Sequence, residues 1–146
     1  MHLDRSACTS RLAEADFGVL GTVDAERGVH LVPVVFVIVD GRLAVPIDSV
    51  KPKSTTLLRR ATNVTRDPRA SLLVDHRSDD WHQLWWVRAD LRAARPGDEA
   101  WREALAHKYP TYRRTGTVID VMAFDDDGKI TSLRAFWNPD EMRPVD

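Results

Sequence analysis

The sequence predicts a mainly β chain, an antiparallel barrel of six to seven strands with short helices at its periphery. Three observations predict it. Apolar runs rich in β-branched residues recur at 17–23, 29–39, 42–47, 70–75, 81–94, 117–124 and 130–137. Turn residues such as Asp40-Gly41 and Asp126-Asp127-Gly128 separate sequential runs, so neighbouring strands join as hairpins. Helical patterns are few and do not alternate regularly with strands, which argues against a doubly wound parallel sheet.

Each element has its own signal. Residues 4–15 form a short helix with a weak apolar side of Ala7, Leu12, Ala13 and Ala15. Phe17 to Val23 is the first strand, and Asp24-Ala25-Glu26-Arg27-Gly28 the turn after it. Val29 to Val39 is a second strand, interrupted by Pro33, which cannot donate to a ladder. Asp40-Gly41 turns the chain into Arg42–Ile47. Asp48 to Lys53 is a loop, and Ser54 is an N-cap for a helix reaching about Arg66, with Leu57, Leu58, Ala61 and Val64 as its buried stripe. Asp67-Pro68 stops that helix, and Ala70–Asp75 is a strand. Trp81 to Ala94 reads as one long aromatic strand. Asp98 caps a helix to about Lys108, and a final hairpin spans 117–137 before a polar tail.

Composition narrows the function. The chain has 146 residues, with 21 Lys plus Arg against 22 Asp plus Glu, a net charge of −1. This length fits a single domain, 1–146, and no linker or repeat divides it. Near-neutral charge argues against a nucleic-acid partner, which needs a basic footprint. No apolar run approaches the ~20 residues of a membrane span. No signal-peptide pattern opens the chain, and the lone Cys8 allows no intrachain disulfide, so the expected location is the cytoplasm.

The candidate chemistry lies in one basic stretch. Lys51 and Lys53 precede a helix start, where unpaired N–H groups favour an anion. Ser54, Thr55 and Thr56 add hydroxyls, and Arg59, Arg60, Asn63 and Arg66 follow. The stretch reads either as a phosphate cradle or as a solvated basic face paired with Asp67 or Asp75. It lacks the glycines of a P-loop. The five histidines show no helical metal spacing, so no metal site is expected. Strand alternation puts Trp81, Gln83, Trp85 and Val87 on one face and His82, Leu84, Trp86 and Arg88 on the other. Two bulky faces suit a barrel wall with a subunit outside it, or a wall against a flat ring. No nucleophile elbow is present, and no catalytic acid or base is nominated.

From about Arg11 to Val118 these residues together resemble the pyridoxamine-phosphate-oxidase-like split β-barrels, and within them the branch that uses the deazaflavin coenzyme F420. The resemblance runs through Val32-Pro33-Val34-Val35-Phe36, Lys51-Pro52-Lys53, Leu58-Arg59-Arg60 and Asn63-Val64. It continues through Asp67 to Asp75, Asp80-Trp81, Leu84 to Asp90, and Lys108-Tyr109-Pro110 with Tyr112. It implies a six-stranded FMN-binding type of split barrel, a homodimer with a flavin or deazaflavin at its interface. Lys51, Lys53 and Arg60 resemble the phosphate contacts, Thr55, Arg59 and Asn63 more weakly. Val34, Val35 and Phe36 resemble the strand beside the cofactor ring. Leu91 departs from the branch, which often has glycine there.

Residues 118–142 are instead similar to the closing hairpin of ketosteroid-isomerase-like proteins. That family's catalytic base, tyrosine and acidic oxyanion donor lie upstream of its hairpin and have no match here. Only Trp137 resembles a pocket-lining residue. Residues 118–146 therefore read as an atypical C-terminal hairpin and tail. The expected function is an F420-dependent oxidoreductase acting on an unsaturated small organic acceptor. The alternatives are an FMN-dependent oxidase or reductase, a non-catalytic flavin-binding module and a steroid-isomerase-like enzyme.

Overall fold

The computed structural model describes residues 3–47, 58–94, 99–113, 120–124 and 132–134. Asp4 starts the first helix, α1 (Arg5–Glu14), by accepting the Ala7 N–H at 2.7 Å. The expected alanine-lined side contracts to Cys8 and Leu12, four residues apart on one face and both buried. Burial pushes the Cys8 thiol pKa up.

Among the described residues, eight strands follow: β1 (Gly18–Asp24), β2 (Gly28–Val34), β3 (Val37–Val39), β4 (Arg42–Ile47), β5 (Arg69–His76), β6 (Trp85–Ala94), β7 (Asp120–Phe124) and β8 (Ser132–Arg134). Helix α2 (Arg59–Arg66) lies between β4 and β5, and α3 (Glu99–Lys108) between β6 and β7. The sheet order is β2-β1-β5-β6-β7-β4-β3, with β8 also on β6, and every pairing is antiparallel.

Four expectations change here. Among the described residues β7 pairs with β4 and β6, and β8 with β6, so the two are not the partners that the hairpin expected over 117–137 requires. The run 29–39 is two strands, not one: Val34 pairs with Gly18 of β1, while Val37 pairs with Ala44 of β4. The chain changes partners at Val35–Phe36, which turns one expected strand into β2 and β3. The barrel is also not closed by hydrogen bonds. Its path ends at β2 and β3, and only the chain joins them. Finally, Trp81–Gln83 is a single 3₁₀ turn rather than the start of the aromatic strand. Asp80 explains it, accepting the His82 N–H at 3.0 Å and the Gln83 amide at 3.1 Å, and so capping a turn.

The hairpin at Asp40-Gly41 is as expected. Both residues have positive φ, 53° and 75°, the signature of a type I′ turn. Alternation then builds the interior. Leu20 and Thr22 of β1, Leu72 and Val74 of β5, and Val87, Ala89 and Leu91 of β6 point inward. With Phe36, Leu43 and Val45 they form the main core, closed on one side by Cys8 and Leu12. Each such large side chain contributes roughly 1.5–3 kcal/mol on burial. A second cluster seats α3 on β3 through Val37, Ala44, Trp101 and Leu105. Among the described residues, no helix is long and apolar enough to cross a membrane.

Candidate functional site

Lys51, Lys53 and Thr55 lie outside the described residues, as does Ser54. The elements that flank them are described. Strand β4 leads into this segment at Ile47, and α2 leaves it at Arg59. Arg60 Nη2 donates to the Pro46 carbonyl at 3.2 Å, so its guanidinium sits at the exit of β4. The first turn of α2 carries no acidic residue, and its N-cap, Leu58, offers no side-chain cap. The chemistry of this end suits an anion such as a phosphate.

Arg59 and Asn63 face elsewhere. They are four residues apart and share the side of α2 that meets β1. Arg59 binds Asp24 through Nε and through Nη2 at 3.2 Å, and Nη2 also reaches Glu26 at 3.1 Å. The Asp24 side chain is only 2% exposed. Its Oδ1 also accepts the N–H groups of Glu26 and Arg27 at 3.0 and 3.1 Å, closing the β1–β2 turn. The Arg59 hydrogen bond holds the Asp24 carboxyl well below the usual range, and Asp24 raises the guanidinium in return. Asn63 donates to Thr22 Oγ1 at 3.1 Å, and both residues are buried. The helix therefore buries Asn63, while Ala61 and Val64 of its expected apolar stripe are only half-buried.

Asp67 and Asp75 pair with neighbours in sequence. Arg69 Nε lies 2.9 Å from Asp67, and Arg77 Nε 2.8 Å from Asp75. Arg69 draws the Asp67 carboxyl down to about 2.

The strand expected beside a ring sits at the β2–β3 break. Val34 is buried, Val35 half-buried, and the Phe36 side chain wholly buried in the core. Of 34–36, only Val35 is partly open to solvent. Lys108 and Tyr109 belong to the resemblance but have no site role in the sequence. The Tyr109 hydroxyl accepts the Phe36 N–H at 3.3 Å and lies 2.8 Å from the carbonyl oxygens of Phe36 and Asp16. Lys108 Nζ donates to the carbonyls of Ala13 at 3.0 Å and Ala15 at 2.7 Å. The readable signal was a lysine and a tyrosine in tandem just before the helix-ending Pro110.

Two hollows are lined by described residues. One, of about 430 Å³, is walled by Asp16, Phe17, Pro33, Asp75, His76 and Trp85. His76 stacks on Trp85 with ring centres 5.8 Å apart, and the Arg11 guanidinium lies 4.6 Å from the same indole. The other, of about 540 Å³, lies on the outer face of β2, β1 and β5 among Val19, Val23, Val29, Leu31 and Leu73. Val29 is 71% and Leu31 63% exposed there, and Arg69 and Arg88 also line it. Arg88 is ion-paired with Asp90 at 3.0 Å. Among the described residues, no three metal-binding side chains converge.

No family model matches the chain. A 24-residue segment is 71% identical to a steroid Δ-isomerase from Nocardioides simplex, covering 16% of this chain and 20% of the isomerase. The chain thus matches about a fifth of that relative's length. The solved structures match far more broadly. A FAD-binding protein from Mesorhizobium loti superposes with a TM-score of 0.65 at 17% identity, over 92% of this chain and 93% of that one. The FAD-binding protein of Mycobacterium smegmatis gives 0.56 at 16%, over 94% and 98%. A protein provisionally named pyridoxamine 5′-phosphate oxidase, from Corynebacterium glutamicum, gives 0.61 at 10%, over 94% and 98%. At such identities the likeness is one of fold. The fold is mainly β and antiparallel, and it is shared with these neighbours.

Proposed function

We propose that this protein is an oxidoreductase that binds a flavin-type coenzyme, F420 in the first place and FMN as the alternative. The observation that carries the reading is Arg60 at the exit of β4. It stands where a segment bearing Lys51 and Lys53 leaves the sheet, on a fold whose solved neighbours include flavin-binding proteins. In this reading Lys51, Lys53, Thr55 and Arg60 hold the phosphate. Arg59 and Asn63 contribute by fastening α2 to β1. Val34, Val35 and Phe36 line the ring. The bound coenzyme supplies the hydride chemistry, and the chain supplies position and electrostatics.

The apolar outer face supports a homodimer. Val29, Leu31, Val23 and Leu73 form an exposed apolar area of the kind that marks an interface. A second copy seated there is the partner we propose.

Titration of the purified chain with F420 and with FMN, followed by fluorescence quenching, tests the reading. Tight F420 binding with weak FMN binding supports the first form, and the reverse supports the second. Binding of neither sinks both. Replacing Lys51 and Lys53 with alanine weakens binding by about tenfold or more if they hold the phosphate. Turnover with reduced coenzyme and a panel of unsaturated acceptors separates an enzyme from a non-catalytic flavin-binding module. The short isomerase match motivates one further assay, on a 3-oxo-Δ5 steroid.

A further inference from the structure

Phe36 lies where the sheet changes partners and belongs to neither ladder. Buried main-chain groups at such a gap need hydrogen-bond partners. Tyr109 supplies one for both groups of the residue. Its hydroxyl accepts the Phe36 N–H at 3.3 Å and lies 2.8 Å from the Phe36 carbonyl oxygen. In an antiparallel ladder, a residue exchanges both its N–H and its C=O bonds with the residue opposite. The hydroxyl stands in for an absent strand at this position.

The same oxygen lies 2.8 Å from the Asp16 carbonyl. Its single proton serves the Phe36 or the Asp16 carbonyl at any moment. Asp16 immediately precedes Phe17 and β1 and walls the hollow of about 430 Å³. Lys108 holds the next segment back. Its ammonium satisfies the Ala13 and Ala15 carbonyls at the C-terminal end of α1 and sits 4.8 Å from the centre of the Phe36 ring. Two consecutive side chains thus tie the end of α3 to the end of α1, the approach to β1 and the β2–β3 break.

We propose that Tyr109 is a positioning residue for the cofactor strand, its hydroxyl fixing the course of Val35–Phe36 against the coenzyme ring. Lys108 anchors the helix end that carries it. The inference rests on the cofactor reading above. It adds a distinct claim: because Phe36 is buried whole, Val35 is the residue of this break that is open to a ligand, and Tyr109 sets its course through Phe36.

Tyr109→Phe removes one oxygen and keeps the ring. The full-length variant and the wild type are titrated with F420 and FMN, recording affinity and the visible absorption band of the bound coenzyme. The expected result is a dissociation constant raised about tenfold, the scale of one lost buried hydrogen bond, with a band shifted toward that of free coenzyme. An unchanged affinity and an unchanged band overturn the proposal, even if the melting temperature falls. Amide exchange in the wild type gives a second test that needs no variant. Coenzyme is expected to slow exchange at residues 35–37, and equal exchange with and without it overturns the proposal. A wild type that binds neither coenzyme brings down the cofactor reading itself. That outcome is distinct from a variant that binds as the wild type does.

Discussion

Arg59 closes on Asp24 across the space between α2 and the β1–β2 turn, with Nη2 3.2 Å from Oδ1 and Nε on the other carboxylate oxygen. The carboxylate is buried, and the guanidinium is partly open to solvent. One side of this pair fastens a helix, and the other closes a hairpin. The element next to the basic segment is therefore fixed to the sheet by a charge that is lost in acid.

Acid should loosen this contact. The folded pKa of Asp24 is depressed, so its contribution to stability is present above the unfolded value of about 3.9 and is lost as pH falls toward the folded value. The wild type is expected to melt higher than Asp24→Asn near neutral pH, and the gap is expected to shrink below about pH 4. Thermal melts of both proteins from neutral to acid pH check it. Asp67 is present in both, so its own titration cancels in the difference.

Asn63→Ala leaves the Thr22 hydroxyl buried without its amide donor. The expected cost is about 1–3 kcal/mol in urea unfolding. Combining it with Thr22→Val should cost less than the sum of the two single changes, because the second removes the group the first orphaned. Strict additivity would show that the bond contributes nothing.

Gly18→Ala is expected to destabilise by about 1–3 kcal/mol through overpacking. A Cβ there would lie 2.9 Å from Leu72 Cδ1 and 3.0 Å from the Leu73 carbonyl oxygen. The leucine methyl can move, but the carbonyl belongs to the β5 ladder. Denaturant midpoints of the variant and the wild type measure the cost.

Leu31→Glu puts a charge in the middle of the apolar outer face. Leu31 lies over Gly21, whose missing side chain leaves room for it. The expected outcome is a wild-type dimer and a monomeric, folded variant by sedimentation. A wild type that is monomeric at high concentration removes the homodimer from the proposal.

The strands were legible because their cause is local. Short apolar, β-branched runs read directly at 17–23 and 70–75, and Asp40-Gly41 names its own turn. The break at Val35–Phe36 was not legible, since Val34 to Val39 all favour a strand. Only the change of ladder partner, a tertiary event, divides the run. The basic helix was half legible. Arg59, Arg60 and Asn63 look alike as phosphate ligands in sequence, yet the partner of Arg59 lies 35 residues away and that of Asn63 41 residues away. Nothing local tells which of the three side chains is turned toward the sheet. Tyr109 posed the same problem at greater range, for its partner Phe36 is 73 residues distant.

The β2–β3 break has a mechanical consequence. The two ends of the hydrogen-bonded path are tethered by Val35 and Phe36 alone. Three extended steps of a trans chain reach at most about 11 Å, so Val34 and Val37 cannot part further than that. The facing ends of β2 and β3 cannot separate beyond that reach. The tether acts as a gauge: the widest gap that can open along this seam is set by the length of two residues, and no side-chain substitution there would change it.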